Sequence, residues 1–406
     1  MLHGSCCGNH FFLKKVNQSN GRQKDQEVTG KGNCPCETVP AICRLLFYTY
    51  IASVVPEFTD PLTPRELGFS FPAEWFPHRA TWLTFPHNDS SWQGDRLARM
   101  RPQYLAFIKA ISQGENVGII ANDENLKKEI SKELDKTGVD LSRIEFIVKP
   151  TNDAWCRDHG PAFLINKKTS EKMIVNWGHN AWGGKYPPYD DDNRTPEAVA
   201  EYLDIPVVNP GIIMEGGAVE FNGAGSLLTS KSCLLNPNRN PHLNQSQIEE
   251  KLSHFYGIEQ VLWVEGGIVG DDTDGHIDDT TRFINEDTVI ACVENDRNDE
   301  NYGILQTNLE MLKKMRLVNG KQLNIVEIPM PKAVVIDDFR TPGSYANFLI
   351  CNAGVIVPVF NNPNDQTAID ILEKAFPDRK IIPLAATEII WGQGSFHCLS
   401  QQEPLI

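Results

Sequence analysis

The feature that most restricts the fold of this chain is a short unit that occurs five times along it. In each unit, small residues and one polar residue precede an apolar run typical of a β-strand. The polar residues are Asp158, Glu215, His276, Tyr345 and Cys398, at intervals of 53 to 69 residues. Repetition at such a period is typical of radial architectures such as propellers. Units around an axis would bring their polar starts together, so the repeat predicts one site there.

Between these units, short strands alternate with amphipathic helices. Helices are predicted over 97–111, 125–135, 245–256 and 366–375, and another is predicted to start at Thr63 and Pro64. Strands are predicted over 79–85, 117–120, 144–148, 172–177, 226–229, 260–264, 288–293 and 324–328. This alternation predicts an α/β protein. A doubly wound sheet is the alternative, but the chain has neither a G-x-G-x-x-G motif nor a P-loop.

Cys398 is the candidate nucleophile of the predicted site. A lone cysteine near a chain end is usually a buried structural thiol. Here Gly392 and Gly394 precede it, and glycine lets a backbone turn tightly and approach a ligand closely. Phe396 and Leu399 flank it with strand-like apolar character. A cysteine nucleophile also needs a histidine and an orienting group from elsewhere in the fold.

His276 and Asp278 are the candidates for the imidazole and for one carboxylate. Two residues apart on a strand, their side chains would point to the same side. The acidic cluster from Asp271 to Asp279 leaves metal binding as an alternative. That cluster lacks calcium-loop spacing and a second histidine at ligand distance. A satisfied core histidine is a further alternative. We expect no metal.

Asp158 and Glu215 add two more carboxylates. Taken singly, either suits a structural role, Asp158 as a partner of Arg157 and Glu215 in a turn. Several carboxylates around one thiol and one imidazole suit a planar cation with N–H groups on several sides, such as a guanidinium. A thiolate could attack the guanidinium carbon while His276 protonates the departing ammonia. The same histidine would then activate water, so a urea-type product would form without a cofactor.

Eight ordered segments from about residue 62 to the chain end resemble the agmatine deiminase family. This family belongs to the guanidine-modifying pentein superfamily and is related to the bacterial-type peptidylarginine deiminases. The segments are Trp82-Leu-Thr-Phe-Pro-His-Asn88, Asn152-Asp-Ala-Trp-Cys-Arg-Asp-His-Gly-Pro161, Trp182-Gly-Gly-Lys-Tyr-Pro-Pro-Tyr-Asp-Asp-Asp192, Met214-Glu-Gly-Gly217, Leu235-Asn-Pro-Asn-Arg-Asn-Pro241, Asp272-Thr-Asp-Gly-His-Ile-Asp278, Ser344-Tyr-Ala-Asn-Phe348 and His397-Cys-Leu-Ser-Gln-Gln-Glu-Pro404.

The resemblance implies a five-bladed α/β propeller, the pentein fold, with pseudo-fivefold symmetry. It also implies hydrolysis of agmatine to N-carbamoylputrescine and ammonia through a covalent amidino-cysteine, a reaction of putrescine and polyamine biosynthesis. By matching position, it implies the nucleophile Cys398, the general acid/base His276, the guanidinium ligands Asp158 and Asp278, the substrate-binding or His276-orienting Glu215, and the pocket-lining Trp155.

Other functions stay open at this point. They are a deiminase of arginine in peptides, a catalytically silent propeller that binds polyamines or a protein, and a Cys-His acyl hydrolase or amidotransferase, which the excess of carboxylates disfavours. Many family members carry three glycines where this chain has Gly392-Gln393-Gly394, so Gln393 is expected to alter the turn or the pocket floor. The stretch Asp190–Asp192 is expected to cover the pocket and to favour the distal ammonium of agmatine.

Charge and cysteine usage limit the partners and the compartment. The net charge of -15 disfavours nucleic acid and anionic membranes as partners and is compatible with a cationic substrate. Beyond residue 60 the cysteines are widely spaced, which suits a reducing compartment, so we expect a cytoplasmic protein. A homo-oligomer is compatible with the sequence.

Residues 1–60 are expected to be a divergent, disordered extension ahead of a single catalytic domain over residues 61–406. Segment 14–32 is rich in polar residues, which cannot bury a core. The apolar run over 41–55 is shorter than the roughly 20 residues of a membrane span. The cysteines of this extension fit no common zinc spacing.

Overall fold

The structure, a computed structural model, describes residues 62–406. The N-terminal extension lies outside these residues. The expectations about its disorder, its cysteines and its apolar run over 41–55 therefore stay predictions. The domain division at residue 60 stays a prediction. None of the helices between residues 62 and 406 has the length and apolar character that a membrane span needs.

Strands and helices alternate along the described residues. The strands are β1 (His78–Thr84), β2 (Asn116–Ala121), β3 (Ile144–Val148), β4 (Ala162–Asn166), β5 (Glu171–Val175), β6 (Val207–Val208), β7 (Val219–Phe221), β8 (Ser226–Ser230), β9 (Gln260–Val264), β10 (Thr281–Asn285), β11 (Thr288–Val293), β12 (Asn324–Pro329), β13 (Val335–Ile336), β14 (Phe339–Arg340), β15 (Leu349–Cys351), β16 (Gly354–Val359), β17 (Ile381–Ala385) and β18 (Ser400–Pro404). The right-handed α-helices are α1 (Arg96–Ile111), α2 (Glu124–Thr137), α3 (Cys156–His159), α4 (Thr195–Leu203), α5 (Lys231–Leu234), α6 (Gln245–Tyr256), α7 (Tyr302–Leu312) and α8 (Asp365–Ala375).

Five sheets share one order of strands, in which an antiparallel pair is followed by a parallel neighbour. Four of them are β4-β5-β6, β7-β8-β9, β10-β11-β12 and β15-β16-β17. The fifth, β18-β1-β2-β3, joins the last strand of the chain to the first. Each repeated unit therefore contributes the first strand of one sheet. The α/β class is confirmed, and the arrangement of the sheets around an axis stays a prediction.

Local signals account for the helices that the sequence predicts well. Helix α6 begins with a capping box between Asn244 and Gln247, and it ends at Gly257 in the left-handed conformation with φ 68°. Helix α2 begins where the Asp123 carboxylate accepts two backbone N–H groups, and it ends at Gly138 with φ 73°. These start and stop signals lie within a few residues of each helix, so the sequence alone reveals them.

The helix predicted to start at Thr63 is wrong, because residues 64–68 form a turn. The capping contacts exist: the Thr63 backbone N–H donates to Glu66 Oε2 at 2.8 Å, and the Glu66 N–H donates to Thr63 Oγ1 at 3.3 Å. Gly68, with φ 85°, then takes the chain out of the helical conformation after one turn.

The starts of two repeated units are also turns, where strands were predicted. His276 precedes the 3-10 turn Ile277–Asp279, and β10 begins only at Thr281. Phe396 and Leu399 likewise lie in a turn, and β18 begins at Ser400. A two-residue spacing over so short a run fits a turn as well as a strand. The side chains are therefore brought together by turn geometry rather than by strand alternation.

The segments that precede the first strands pack against one another. Helix α3 contacts the 3-10 turn Gly216–Ala218 and strand β18. The turn Gly216–Ala218 in turn contacts the turn Ile277–Asp279. Residues far apart in the sequence consequently meet in one buried region.

Candidate active site

Cys398 lies in the turn that leads into β18, and only 5% of it is exposed. A Cβ atom at Gly394 would stand 3.0 Å from the Cys398 Cβ and 2.7 Å from the ring of Trp155. Glycine is therefore needed where the turn folds back on its own cysteine. Gln393 has φ 75°, in the left-handed region that side chains other than glycine rarely adopt. Gln393, which stands where the middle of three glycines was expected, therefore has a strained backbone.

The surroundings of the Cys398 thiol favour its protonated form. Burial raises the pKa of the thiol well above its ordinary value, and the carboxylates of Asp278, Asp279 and Asp158 raise that pKa further. The Asp278 Oδ2 atom accepts a hydrogen bond from the sulfur at 3.5 Å. A thiolate here requires a positive charge or hydrogen-bond donors close to the sulfur.

Asp158 lies in the one-turn helix α3, and both of its carboxylate oxygens accept hydrogen bonds. The Trp182 indole N–H donates to Oδ2 at 2.9 Å, and the Gly217 backbone N–H donates to Oδ1 at 3.0 Å. Burial raises the pKa of Asp158 well above its ordinary value, and the nearby charges of Asp278 and Glu215 raise it further. A cation close to Asp158 would reverse that shift by favouring the ionised carboxyl.

A left-handed turn places the indole of Trp182 on Asp158. Four consecutive residues from Ala181 to Gly184 have φ values between 53° and 90°. For Ala181 and Trp182 this conformation costs roughly 1–2 kcal/mol each. The hydrogen bond to Asp158 and the burial of the indole offset that cost. Backbone strain concentrated beside candidate functional groups is typical of a site that needs fixed geometry.

Gly217 marks the point around which three candidate groups converge. A Cβ atom at this position would stand 2.6 Å from His276 Nδ1, 2.9 Å from Asp158 Oδ1 and 3.1 Å from Asp278 Oδ2. Any side chain would therefore collide with the imidazole and with both carboxylates. This crowding explains why the Met214-Glu-Gly-Gly217 segment ends in glycine.

His276 and Asp278 are both buried, and their surroundings keep the imidazole neutral and the carboxyl group ionised. Burial lowers the pKa of His276 to about 3, so its imidazole is neutral, and its Nδ1 atom lies 3.7 Å from Asp158 Oδ1. Burial alone would raise the pKa of Asp278, but the hydrogen bond and the charge of His397 bring it below its ordinary value. The His397 Nδ1 atom lies 2.7 Å from Asp278 Oδ2. Asp278 therefore carries a negative charge beside the thiol.

Glu215 is held by Arg239, whose Nε atom donates to Glu215 Oε1 at 2.7 Å. The same guanidinium pairs with Asp274 at 2.5 Å and donates to the Thr273 carbonyl oxygen at 2.9 Å, so each of its nitrogens has a partner. Burial raises the pKa of Glu215, and Arg239 offsets only part of that effect. A carboxylate oxygen of Glu215 and a ring nitrogen of His276 lie within 4.8 Å of each other, so Glu215 borders the imidazole.

Four buried polar atoms at the site find no hydrogen-bond partner among residues 62–406. They are Asp278 Oδ1, Glu215 Oε2 and both ring nitrogens of His276. A buried polar atom left unpaired costs about 1–3 kcal/mol, and native proteins contain few such atoms. A planar cation with N–H groups along several edges would supply donors to the two carboxylates.

Trp155, the predicted pocket-lining residue, forms an aromatic wall against the cysteine turn. Its ring stacks on Trp92 with centroids 5.4 Å apart and planes inclined at 26°. A Cβ atom at Gly392 would stand 2.8 Å from the Trp155 ring and 2.5 Å from the Trp92 ring. Gly392 and Gly394 thus let the turn lie flat on this wall, where a planar ligand could stack.

The side of the turn that carries Gln393 is covered by two other segments. With its amide nitrogen facing Asp272, Gln393 donates to Asp272 Oδ1 at 3.1 Å. The Tyr186 hydroxyl donates to the same aspartate, and the Lys185 ammonium contacts Asp274 at 2.9 Å. These contacts tie the residues after Trp182 to the loop before His276. Through Gln393 they also reach the cysteine turn.

Two carboxylates of the stretch Asp190–Asp192 have partners within the described residues. Asp192 is buried, and its carboxylate accepts the backbone N–H groups of Asn152 at 2.6 Å and Asp153 at 3.0 Å. Asp191 pairs with Arg194 at 2.9 Å. Asp192 therefore holds the loop that leads to Trp155. That the stretch covers the pocket and favours the distal ammonium of a substrate stays a prediction.

Sequence reasoning missed three polar contacts of the site. His397 was treated only as the neighbour of the cysteine, although it bridges Asp278 and Glu74. Trp182 was noted only as part of a segment. In the fourth unit, Tyr345 was taken as the polar residue, but its hydroxyl donates to Asp365 at 2.7 Å. Asn347, two residues later, faces Cys398 instead, and its polar character before an apolar strand was the available signal.

Three groups of side chains in the described part of the chain have the composition and proximity of metal ligands. They are Glu215 with Cys233 and His276, Glu74 with Glu220 and His397, and Asp278 with Asp279 and Cys398. The first and third include the thiol or imidazole proposed for catalysis. An ion bound there would occupy the lone pairs that attack and proton transfer need.

We expect extensive dialysis against a chelator such as EDTA to leave ammonia release unchanged, because thiol, imidazole and carboxylates suffice for the chemistry. The measurement is kcat before and after dialysis, with metal content followed by elemental analysis. Activity lost with the metal and restored by one divalent ion would contradict this expectation.

The described residues are similar to several known proteins. The family model of Porphyromonas-type peptidyl-arginine deiminases matches residues 70–404. The chain is 34% identical over 365 residues to the agmatine deiminase of Stutzerimonas stutzeri, a match that covers 84% of this chain and 97% of that protein. The structure of the Enterococcus faecalis agmatine deiminase matches with a TM-score of 0.80 and 32% identity, over 85% of this chain and 98% of the other. A C. jejuni agmatine deiminase variant with substrate bound matches with a TM-score of 0.75 and 34% identity, over 82% and 96% of the two chains.

Proposed function

The chain belongs to the family of Porphyromonas-type peptidyl-arginine deiminases and agmatine deiminases, and on this premise we propose that it hydrolyses agmatine to N-carbamoylputrescine and ammonia. One observation carries the proposal. A thiol, a neutral imidazole and several carboxylates converge in a buried space where some polar atoms have no hydrogen-bond partner within the described part of the chain. An acyl substrate would develop an oxyanion here and be repelled, whereas a guanidinium would be attracted.

In the proposed complex, Asp158 and Asp278 accept the N–H groups of the guanidinium. Carboxylates bind this planar cation in bidentate fashion, which fixes its orientation as well as its position. Trp155 stacks along the plane of the cation, and Glu215 accepts from a further N–H. The guanidinium carbon then faces the Cys398 sulfur from one side only, and such positioning removes much of the entropic barrier to attack.

Binding of the cation also activates the nucleophile. Burial and three carboxylates hold the proton on the Cys398 thiol until a positive charge arrives. The guanidinium neutralises these carboxylates, and the thiol proton passes to His276, which thereby becomes an imidazolium. The enzyme thus keeps its thiol unreactive until the correct substrate is present.

The reaction then proceeds in two halves. The thiolate adds to the guanidinium carbon, and the imidazolium of His276 gives its proton to one amino group, which leaves as ammonia. This step produces a covalent amidino-cysteine. His276, neutral again, takes a proton from water, and the resulting hydroxide adds to the same carbon. The C–S bond then breaks as the added hydroxyl loses its proton to solvent, which releases the neutral urea product and the thiolate.

The burial of the site favours a small substrate over a peptide. His276, Asp278 and Glu215 have no exposed surface, and contacts of Lys185 and Tyr186 bind the residues after Trp182 to the loop before His276. Free arginine fits poorly for a different reason, since its carboxylate needs a cationic partner. Lys185 and Arg239 are paired with acids, and the buried Arg157 side chain donates to the His397 carbonyl oxygen at 3.3 Å and to Gln402 Oε1 at 2.7 Å.

We therefore expect kcat/KM for agmatine to exceed that for free arginine by about 10³ or more, which needs only about 4 kcal/mol of discrimination. The measurement is ammonia release from agmatine, arginine and an N- and C-terminally blocked arginyl peptide. Preference for the peptide would identify a peptidylarginine deiminase. Binding of agmatine without ammonia release would identify the catalytically silent alternative.

Residues 61–406 are proposed to act as one catalytic domain in the cytoplasm. The five cysteines of the described residues are free and buried, which is compatible with a reducing compartment. The net charge of -15 supports a cationic small molecule as the partner rather than nucleic acid. A homo-oligomer stays compatible with this proposal.

A further inference from the structure

Asn347 lies at the start of the fourth repeated unit, two residues before β15, and only 1% of it is exposed. Its amide oxygen accepts the backbone N–H groups of Ser395 at 3.2 Å, His397 at 3.2 Å and Cys398 at 3.3 Å. The Ser395 hydroxyl donates to the same oxygen at 3.0 Å. One side chain therefore binds three of the four consecutive residues that end in the candidate nucleophile.

The amide nitrogen of Asn347 points the other way, towards two acceptors. It donates to the Cys398 sulfur at 3.0 Å and to Asp279 Oδ1 at 3.0 Å. The orientation of the amide is unambiguous, because three backbone N–H groups can face only its oxygen. Both N–H groups of the side chain are consequently committed, one to the reacting atom and one to an acid behind it.

We propose that Asn347 is a further catalytic residue, which holds the nucleophile turn through its amide oxygen and stabilises the attacking sulfur through its amide N–H. The inference rests on the proposed role of Cys398 as the nucleophile. The neighbouring carboxylates Asp278, Asp279 and Asp158 all oppose the thiolate, whereas an N–H donor favours it. The hydrogen bond from Asn347 is thus the favourable local contact that partly balances three unfavourable ones.

The link to Asp279 keeps the donor aimed at the sulfur. Asp279 is buried, and its backbone carbonyl accepts the Ser344 hydroxyl at 2.7 Å. Ser344 Oγ in turn accepts the Ala346 backbone N–H at 3.1 Å. The loop that carries Asn347 is thereby bound to the turn that carries Asp278. Hydrogen bonds thus join the nucleophile, the donor and the carboxylate.

One variant tests the hydrogen bond to the sulfur separately from the contacts that hold the nucleophile turn. Asn347→Asp keeps an oxygen for the three backbone N–H groups, but it replaces the N–H that faces the sulfur by a second oxygen. We expect kcat for agmatine to fall by about 10²-fold, with KM changed less than about threefold. We also expect alkylation of Cys398 by iodoacetamide, located by peptide mass mapping, to begin at a pH about one unit higher.

Two variants control for folding and for charge. Asn347→Ala introduces no carboxylate, and the same displacement of the alkylation profile is expected from it. Ser395→Ala loses one contact with the Asn347 oxygen and leaves the donor to the sulfur intact, so its alkylation profile should coincide with that of the natural protein. The melting temperature of each variant reports on folding.

Several outcomes would overturn the inference. Alkylation profiles of both Asn347 variants that coincide with the natural one would reduce Asn347 to a structural role. An unchanged kcat in folded Asn347→Asp would remove it from catalysis altogether. If Cys398→Ser retains activity, the proposed nucleophile itself is wrong. Loss of activity in Cys398→Ser together with a normal profile in Asn347→Asp would contradict only the role of Asn347.

Discussion

Replacement of Cys398 by serine is expected to abolish agmatine turnover and to preserve agmatine binding. A hydroxyl is a far weaker nucleophile than a thiolate, and it gives up its proton much less readily than a thiol does. Loss of a covalent nucleophile typically lowers kcat by about 10⁴-fold or more. Binding should persist, because Asp158 and Asp278 bind the cation without the sulfur. Ammonia release and titration calorimetry measure the two effects.

Mass spectrometry of the acid-quenched active protein should reveal the amidino adduct on Cys398 alone. Cys351→Ser is the matched control, since burial raises the pKa of that thiol to about 12 and it lies in strand β15. Its turnover should equal that of the natural protein. An adduct on Cys156 or Cys292, together with full activity of Cys398→Ser, would end the proposed mechanism.

Asp278→Asn is expected to lower kcat/KM by about 10²- to 10⁴-fold, since removing one partner of a buried charge pair costs about 2–5 kcal/mol. Asp278 has three tasks in the proposed mechanism: it accepts the guanidinium, contacts the sulfur at 3.5 Å and pairs with His397 at 2.7 Å. Asp158→Asn should act in the same direction, because it faces the cation from the other side. The measurement is steady-state ammonia release at several agmatine concentrations.

Asp190→Asn provides the charge-matched control. It removes one negative charge from the exposed part of the acidic stretch, and we expect kcat/KM to change less than about threefold, as is usual for a screened surface charge. Losses of only about 1 kcal/mol in both Asp278→Asn and Asp158→Asn would place those carboxylates away from the substrate. A large effect in Asp190→Asn would restore the acidic stretch as the determinant of specificity.

Local patterns in the sequence determined the class of the fold and most of its elements. The capping box of Asn244 and the left-handed glycines Gly138 and Gly257 act within a few residues, so the helices that they bound are recognisable without tertiary information. The repeated units are likewise visible, because each contributes a short polar start and an apolar strand. Residue types that suit guanidinium chemistry then indicate Cys398 and His276 as candidates.

Only the tertiary structure decided how these residues meet. Asn347 and Cys398 are 51 positions apart, and their contact depends on the packing of two units that no local pattern describes. The same holds for the indole of Trp182 on Asp158, which requires a strained left-handed turn, and for Gly217, whose missing side chain leaves the space between an imidazole and two carboxyl groups. Burial sets the protonation of the thiol and imidazole, and burial is a property of the assembled fold. The sequence by itself determined which chemical groups are present, whereas their distances, orientations and charges arise from long-range packing.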